Sequence, residues 1–168
     1  MLLSQAGTWL LAGPLVGAAF SAQRAAGASE PVARIAMVTD VHYANRDTRG
    51  TRHYRDSLQK LDEALALWKR DRVDAGVELG DLVDASPTVE LETADLRRVL
   101  RTLRQLDVPW HFVLGNHCVT TLSKAQFLAE WNAPSPYYAF TVKGRRCLVL
   151  DGTFSSDGRP YGGREFDW

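Results

Sequence analysis

The sequence predicts an α/β protein built around a largely parallel sheet, and three observations predict it. Short apolar runs alternate with segments of helical periodicity from residue 32 onward. The intervals between successive runs are long enough for the helical crossover that a parallel pair requires. Three of the runs stop at polar motifs, which is where an open parallel sheet presents its ligand sites.

The elements follow in order. Val32 to Val38 (VARIAMV) is strand-like and stops at Thr39-Asp40. His53 to Arg70 reads as a helix, because Leu58, Leu61, Leu65 and Trp68 recur at spacings of three and four and form one apolar stripe. Val73 to Leu79 is a second strand, stopped by Gly80-Asp81. Leu91 to Leu106 is a second helix with Leu96, Val99, Leu100, Leu103 and Leu106 as its buried side and Arg97, Arg98, Arg101 and Arg104 on the solvated face. Trp110 to Leu114 is a third strand, stopped by Gly115-Asn116, with His111 inside it as a core residue. Ser123 and Gln126 make a capping box for a short helix reaching Trp131. Tyr137 to Val142 and Arg146 to Leu150 flank Lys143-Gly144-Arg145 as a hairpin, and the tail from Gly152 to Trp168 fits no element.

Length and composition bound the function. The 168 residues suit one domain, and a hydrophobic share of 45% with 24% charged residues is ordinary for a globular protein. Lys and Arg total 20, as do Asp and Glu, so the zero net charge gives no polybasic surface for nucleic acid or membrane. The first thirty residues differ: Trp9 to Phe20 is uncharged and apolar, no charge precedes Arg24, and Ala26-Gly27-Ala28 is a small-x-small site. Residues 1–28 therefore read as a signal peptide that exports the chain to the periplasm or exterior, leaving no stable membrane association once removed. The stretch is too short and too rich in Gly and Pro to be read as a span. Two cysteines, Cys118 and Cys147, make no disulfide framework, and Cys147 in its apolar run reads as a small buried hydrophobe.

The motifs carry the chemistry. Asp40-x-His42 places a carboxylate and an imidazole two residues apart, which on an extended segment turns both to one side. Gly80-Asp81-Leu82-Val83-Asp84 lets the backbone turn at a strand end and projects Asp81, whose two oxygens can bridge two cations; Asp84 reads as a supporting loop residue. Gly115-Asn116-His117 adds a neutral amide oxygen and a second imidazole able to donate a proton. Each motif alone has a bland reading as a turn beside a surface side chain. Together they are specific, because Asp81 follows Asp40 by 41 residues and Asn116 follows Asp81 by 35, one strand–helix unit each. The mixed Asp, His and Asn donors suit Mn, Zn or Fe.

This set, D-x-H, G-D-x-x-D and G-N-H, resembles the calcineurin-like metallophosphoesterase superfamily from about Arg34 to Asp151. The resemblance implies an αββα sandwich, here incomplete, with residues 29–168 as the N-terminal part of the phosphoesterase domain. It implies two divalent metal ions bridged by Asp81, with Asp40 and His42 on the first, Asn116 on the second, and His117 as the catalytic group at the scissile phosphate. The segment Arg49 to Leu58 followed by Trp68 is similar to manganese-dependent ADP-ribose/CDP-alcohol diphosphatases, which implies a small, nucleotide-derived phosphorylated substrate. Arg49 and Arg52 are the candidates to hold its phosphate. Two departures stand out. Cys118 occupies the place after Gly-Asn-His where the family has an acid that orients the histidine. The later Gly-His-x-His is missing too, since the histidines are His42, His53, His111 and His117. The expectation is a metal-dependent hydrolase of phosphoester or phosphoanhydride bonds, truncated here to a chain that binds metal weakly and lacks activity as it stands. The rival is a non-catalytic binding protein that keeps the fold. A Rossmann-like nucleotide domain is disfavoured, because no Gly-x-Gly-x-x-Gly follows the first strand.

Overall fold

A computed structural model of the protein describes residues 32–154. The segment read as an export signal and the tail beyond residue 154 lie outside them. Three strands, β1 (Ile35–Val38), β2 (Ala75–Glu78) and β3 (Trp110–Phe112), form a parallel sheet in the order β1-β2-β3. The register pairs Ile35 with Ala75, and Gly76 with Trp110. The crossovers are α1 (Ser57–Asp71) and α2 (Val89–Leu103), and α3 (Lys124–Trp131) follows β3. An antiparallel pair, β4 (Tyr138–Val142) and β5 (Arg145–Val149), closes the described chain.

The parallel sheet presents two unlike faces because side chains alternate along a strand. Ala36 and Phe112 join a core with Leu61 and Leu65 of α1, Leu96, Val99, Leu100 and Leu103 of α2, and Phe127 of α3. Each buried Leu there contributes about 2 kcal/mol from the apolar area it removes from water. Trp131 meets Phe112 edge-on from α3. On the other face His111 stacks on Phe140 of β4 with ring centroids 3.5 Å apart, so the hairpin forms a second sheet layer. The described residues thus supply one helical layer and two sheet layers of the expected sandwich. Among them, no helix is long and apolar enough to cross a membrane.

Caps and turns explain where the elements stop. Ser123 accepts from Gln126 N, and the Gln126 side chain accepts from Ser123 N, the reciprocal box that the sequence predicted. The hairpin turn is Lys143-Gly144 alone, both at positive φ, a two-residue turn that matches strand twist, so Arg145 already belongs to β5. Helix α1 starts at Ser57, four residues later than periodicity predicts. Tyr54 is buried, and the Ser57 hydroxyl donates to its carbonyl at 2.7 Å, holding 54–56 as turns. Helix α2 starts at Val89, two residues earlier than expected, because the Thr88 side chain accepts from Leu91 N.

The first half of α2 fastens the loops at the strand ends. Glu92, fully buried, accepts from Ser86 N at 2.8 Å and Leu122 N at 3.3 Å. Asp95 accepts from Asn45 N at 3.2 Å and the Ser86 hydroxyl at 3.0 Å. Two acids one helical turn apart therefore hold the segments that follow β1, β2 and β3. Buried backbone N–H groups with no ladder partner need such acceptors.

Candidate functional site

The site forms where the three parallel strands end. Asp40 and His42 follow β1, Asp81 and Asp84 follow β2, and Asn116 and His117 follow β3. His42 Nε2 stands 3.4 Å from Asp40 Oδ1 and 3.8 Å from Asp81 Oδ2. One donor atom each from His42, Asp81 and His117 lies within 4.8 Å of the others. The two imidazole rings meet edge-on with centroids 4.6 Å apart.

The backbone that achieves this is not extended. Asp40 has φ 55°, His42 φ 44° and Asp81 φ 59°, all left-handed, which corrects the expectation that β-alternation turns Asp40 and His42 to one side. The loop is pinned to its neighbour instead: Asp40 N donates to Gly80 O at 3.0 Å and His42 N to Asp81 O at 2.9 Å. Asp and His are among the residues that tolerate this conformation best, at about 1 kcal/mol each. Gly115 makes the third loop fit, since a Cβ there would lie 2.1 Å from Asp81 Oδ1. This close approach lets His117 N donate to the same oxygen at 3.0 Å, leaving Oδ2 turned toward His42.

Asp84 does more than the sequence indicated. Its side chain is only 6% exposed, yet four groups hold it at 3.1 Å or less and His42 Nδ1 stands 4.0 Å off. Oδ1 lies 3.1 Å from His117 Nδ1 and accepts from Ala85 N, while Oδ2 accepts from Arg52 at 2.8 Å and from Arg46 at 3.0 Å. Burial works to raise its pKa, but Arg46, His117 and these hydrogen bonds outweigh it and hold the carboxyl below its ordinary value. An ionised carboxylate only accepts, so His117 Nδ1 carries the proton and Nε2 is free for the site. Asp84 therefore supplies the orienting acid that Cys118 cannot. The Thr39 hydroxyl, donating at 2.6 Å, and nearby His42 hold Asp40 ionised as well, although burial opposes them.

The remaining sequence candidates divide. Arg52 reaches the cluster through Asp84, whereas exposed Arg49 meets Arg52 through two backbone bonds and stays outside it. Asn116 is exposed at the rim, its carbonyl accepting from Val119 N and the Thr120 hydroxyl at the start of a 3₁₀ turn. Sequence reasoning missed Arg46, whose guanidinium bonds Ala85 O and Asp84 and lies 3.9 Å over the Tyr54 ring. A lone Arg in a polar loop carries no pattern that would have marked it. Cys118 is fully buried, and burial pushes its thiol up to about 12, which ends any reading of it as a nucleophile. At pH 8, Ellman's reagent should titrate Cys147 in the native chain and Cys118 only after denaturation. Two fast thiols would contradict the burial. Cys147 is half-buried rather than the fully buried hydrophobe expected.

Nitrogen and oxygen donors, with no accessible thiolate, suit a borderline or hard divalent cation. His42 Nδ1 is buried without a hydrogen-bond partner, and Asp40 and Asp81 share His42 as their ion-pair partner among the described residues. Two carboxylates converge on the imidazole Nε2, while a third, Asp84, 4.0 Å from Nδ1, is paired with Arg46 and Arg52. The charge left on Asp40 and Asp81 is one that a bound cation would balance, so the residues fit a metal. The family model for calcineurin-like phosphoesterases matches residues 33–166. The chain belongs to the calcineurin-like phosphoesterase family. This calcineurin-like phosphoesterase is 28% identical over 147 residues to a rice protein named manganese-dependent ADP-ribose/CDP-alcohol diphosphatase, covering 80% of this chain and 46% of that one. A Xenopus laevis protein of the same name is 32% identical over 97 residues, covering 52% and 27%. Among solved structures, a dimetal phosphatase from Danio rerio superposes with a TM-score of 0.66 at 27% identity, covering 77% of this chain and 48% of that one. The phosphoesterase chain described here thus spans less than half the length of these relatives.

Proposed function

We propose that this chain carries metal-binding and phosphate-orienting groups of a hydrolase that cleaves phosphoester or phosphoanhydride bonds in small nucleotide-derived substrates. The observation that carries the reading is the convergence of His42, Asp81 and His117 within 4.8 Å at three strand ends. Names borne by the relatives, manganese-dependent diphosphatase and dimetal phosphatase, support both the metal and the substrate class.

Asp40 and His42 would hold one divalent ion, Asn116 a second, and Asp81 both. Such ions, manganese, iron or zinc, supply Lewis-acid polarisation and a water of lowered pKa. The chain's own residues do the rest. His117, oriented by Asp84 through Nδ1, would present Nε2 to the leaving-group oxygen and, when both ring nitrogens are protonated, give it a proton. The Arg46 and Arg52 side chains are 40% and 49% exposed, so each has donors to spare for an anionic phosphoryl group after binding Asp84.

The test is a Mn²⁺ titration of the chain by calorimetry, followed by ADP-ribose hydrolysis with and without chelator. Saturable binding and chelator-sensitive release of AMP are expected. Hydrolysis indifferent to chelation would overturn the metal reading. Mn²⁺ bound tightly with no turnover of any phosphoester would move the assignment to a non-catalytic binding protein.

A further inference from the structure

Glu78 is an acid where the sheet should be apolar. It is the last residue of β2, fully buried, in register between Val38 of β1 and Phe112 of β3. Burial, reinforced by Asp81 and Asp40, raises its carboxyl well above the ordinary range, opposed only in part by the Gly80 N–H. Burying a carboxyl is expensive even when it is neutral, and Leu or Met would fill the space at less cost. The geometry shows what the acid does there. Glu78 Oε1 accepts from Gly80 N at 2.8 Å, and Gly80, at φ +114°, is the turn residue immediately before Asp81. Gly80 O accepts in turn from Asp40 N, and Asp81 O accepts from His42 N. One side chain thus anchors the turn residue whose carbonyl, together with that of Asp81, holds the loop after β1. Oε2 is buried without a hydrogen-bond partner, so the carboxyl is held by this single backbone contact.

We propose that Glu78 is a positioning residue, whose buried side chain clamps the Gly80 amide and so sets Asp81, Asp40 and His42 in the geometry that binds metal. The claim rests on the metal-binding reading above. It separates the clamp from simple filling of the core, because the two roles respond differently to one substitution. Glu78→Met keeps the length and bulk of the side chain and removes the acceptor. Its melting temperature should stay level or rise, since a buried carboxyl is gone, while Mn²⁺ affinity falls roughly tenfold, the scale of losing a group that supports a ligand. Glu78→Gln keeps an acceptor for Gly80 N–H and should hold Mn²⁺ affinity within about threefold of the parent chain, below that scale.

The experiment is a Mn²⁺ titration of the parent chain, Glu78→Met and Glu78→Gln, each with a thermal melt, together with amide exchange at Gly80 by NMR. Protection of the Gly80 amide in the parent chain and in Glu78→Gln, with weakened metal binding in a folded Glu78→Met, is the expected result. Should Glu78→Met fail to fold, the parent and Glu78→Gln still decide. A Gly80 amide that exchanges freely in Glu78→Gln while metal affinity is kept overturns the clamp. So does parental affinity in a folded Glu78→Met, or a loss in Glu78→Gln equal to that in Glu78→Met. A parent chain that binds no Mn²⁺ overturns the metal reading and this proposal with it, whereas failure of the clamp alone leaves Mn²⁺ binding by the parent intact.

Discussion

Asp81→Asn is expected to leave the chain folded and to weaken Mn²⁺ binding by roughly 100-fold or more, beyond what loss of a supporting group produces. The asymmetry follows from how the two carboxylate oxygens are used. Oδ1 accepts from His117 N, and an Asn oxygen can accept the same bond. The backbone angle of 59° suits Asn as well as Asp, and the carbonyl still accepts from His42 N. Oδ2, turned toward His42, becomes a neutral NH₂ that cannot ligate a cation and repels one. On the proposed function, hydrolysis of ADP-ribose should fall by about 10²–10³-fold, the scale of one transition-state electrostatic group. Calorimetry and a thermal melt on the same sample check both halves. Full Mn²⁺ affinity in a folded Asp81→Asn chain would remove Asp81 from the site.

Asp84→Asn should act on stability and on the reaction together. It leaves Arg46 and Arg52 without their shared carboxylate and gives His117 a neutral amide oxygen in place of a charged acceptor. Breaking a fully buried pair costs about 3–5 kcal/mol. Both guanidiniums here are more than a third exposed, so water takes up part of the loss, and about 2 kcal/mol is expected in urea unfolding. The pH dependence has a definite sign. The folded pKa of Asp84 lies below its ordinary value of 3.8, so its contribution is complete above that value and disappears as pH falls through the folded pKa. Parent and variant should therefore differ at pH 7 and converge as pH falls below 3.8 through the folded pKa. Turnover should drop by about 10²–10⁴-fold if His117 acts as a general acid. Equal stability of the two chains at pH 7 would show that Asp84 is not the hub its contacts describe.

The strand ends were legible because a polar residue, with or without a glycine before it, stops each mostly apolar run: Thr39-Asp40, Gly80-Asp81 and Gly115-Asn116. Helix α3 was readable to the residue, since its capping pair is local and obeys one rule. The first helix was overextended because periodicity cannot see that Tyr54 must be buried and Arg52 delivered to Asp84, both tertiary demands. The loop angles at Asp40 and His42 were invisible for a related reason: hydrogen bonds to Gly80 and Asp81, 40 and 39 residues away, impose them. Glu78 and Arg46 belong to no spacing rule, and their partners become apparent only once the chain is folded.

Glycine would occupy positions 40, 42 and 81 with less strain than the residues found there, since each backbone angle lies in the region that a side chain disfavours. Robustness and turnover therefore pull in opposite directions at the same three codons. The strain amounts to about 1 kcal/mol a position, and the hydrogen bonds that Asp40 and Asp81 accept offset part of it, while selection for hydrolysis would hold the acids and the imidazole in place. Any effort to harden this scaffold against heat should turn instead to Arg72 and Lys143, which hold the same backbone region outside the site.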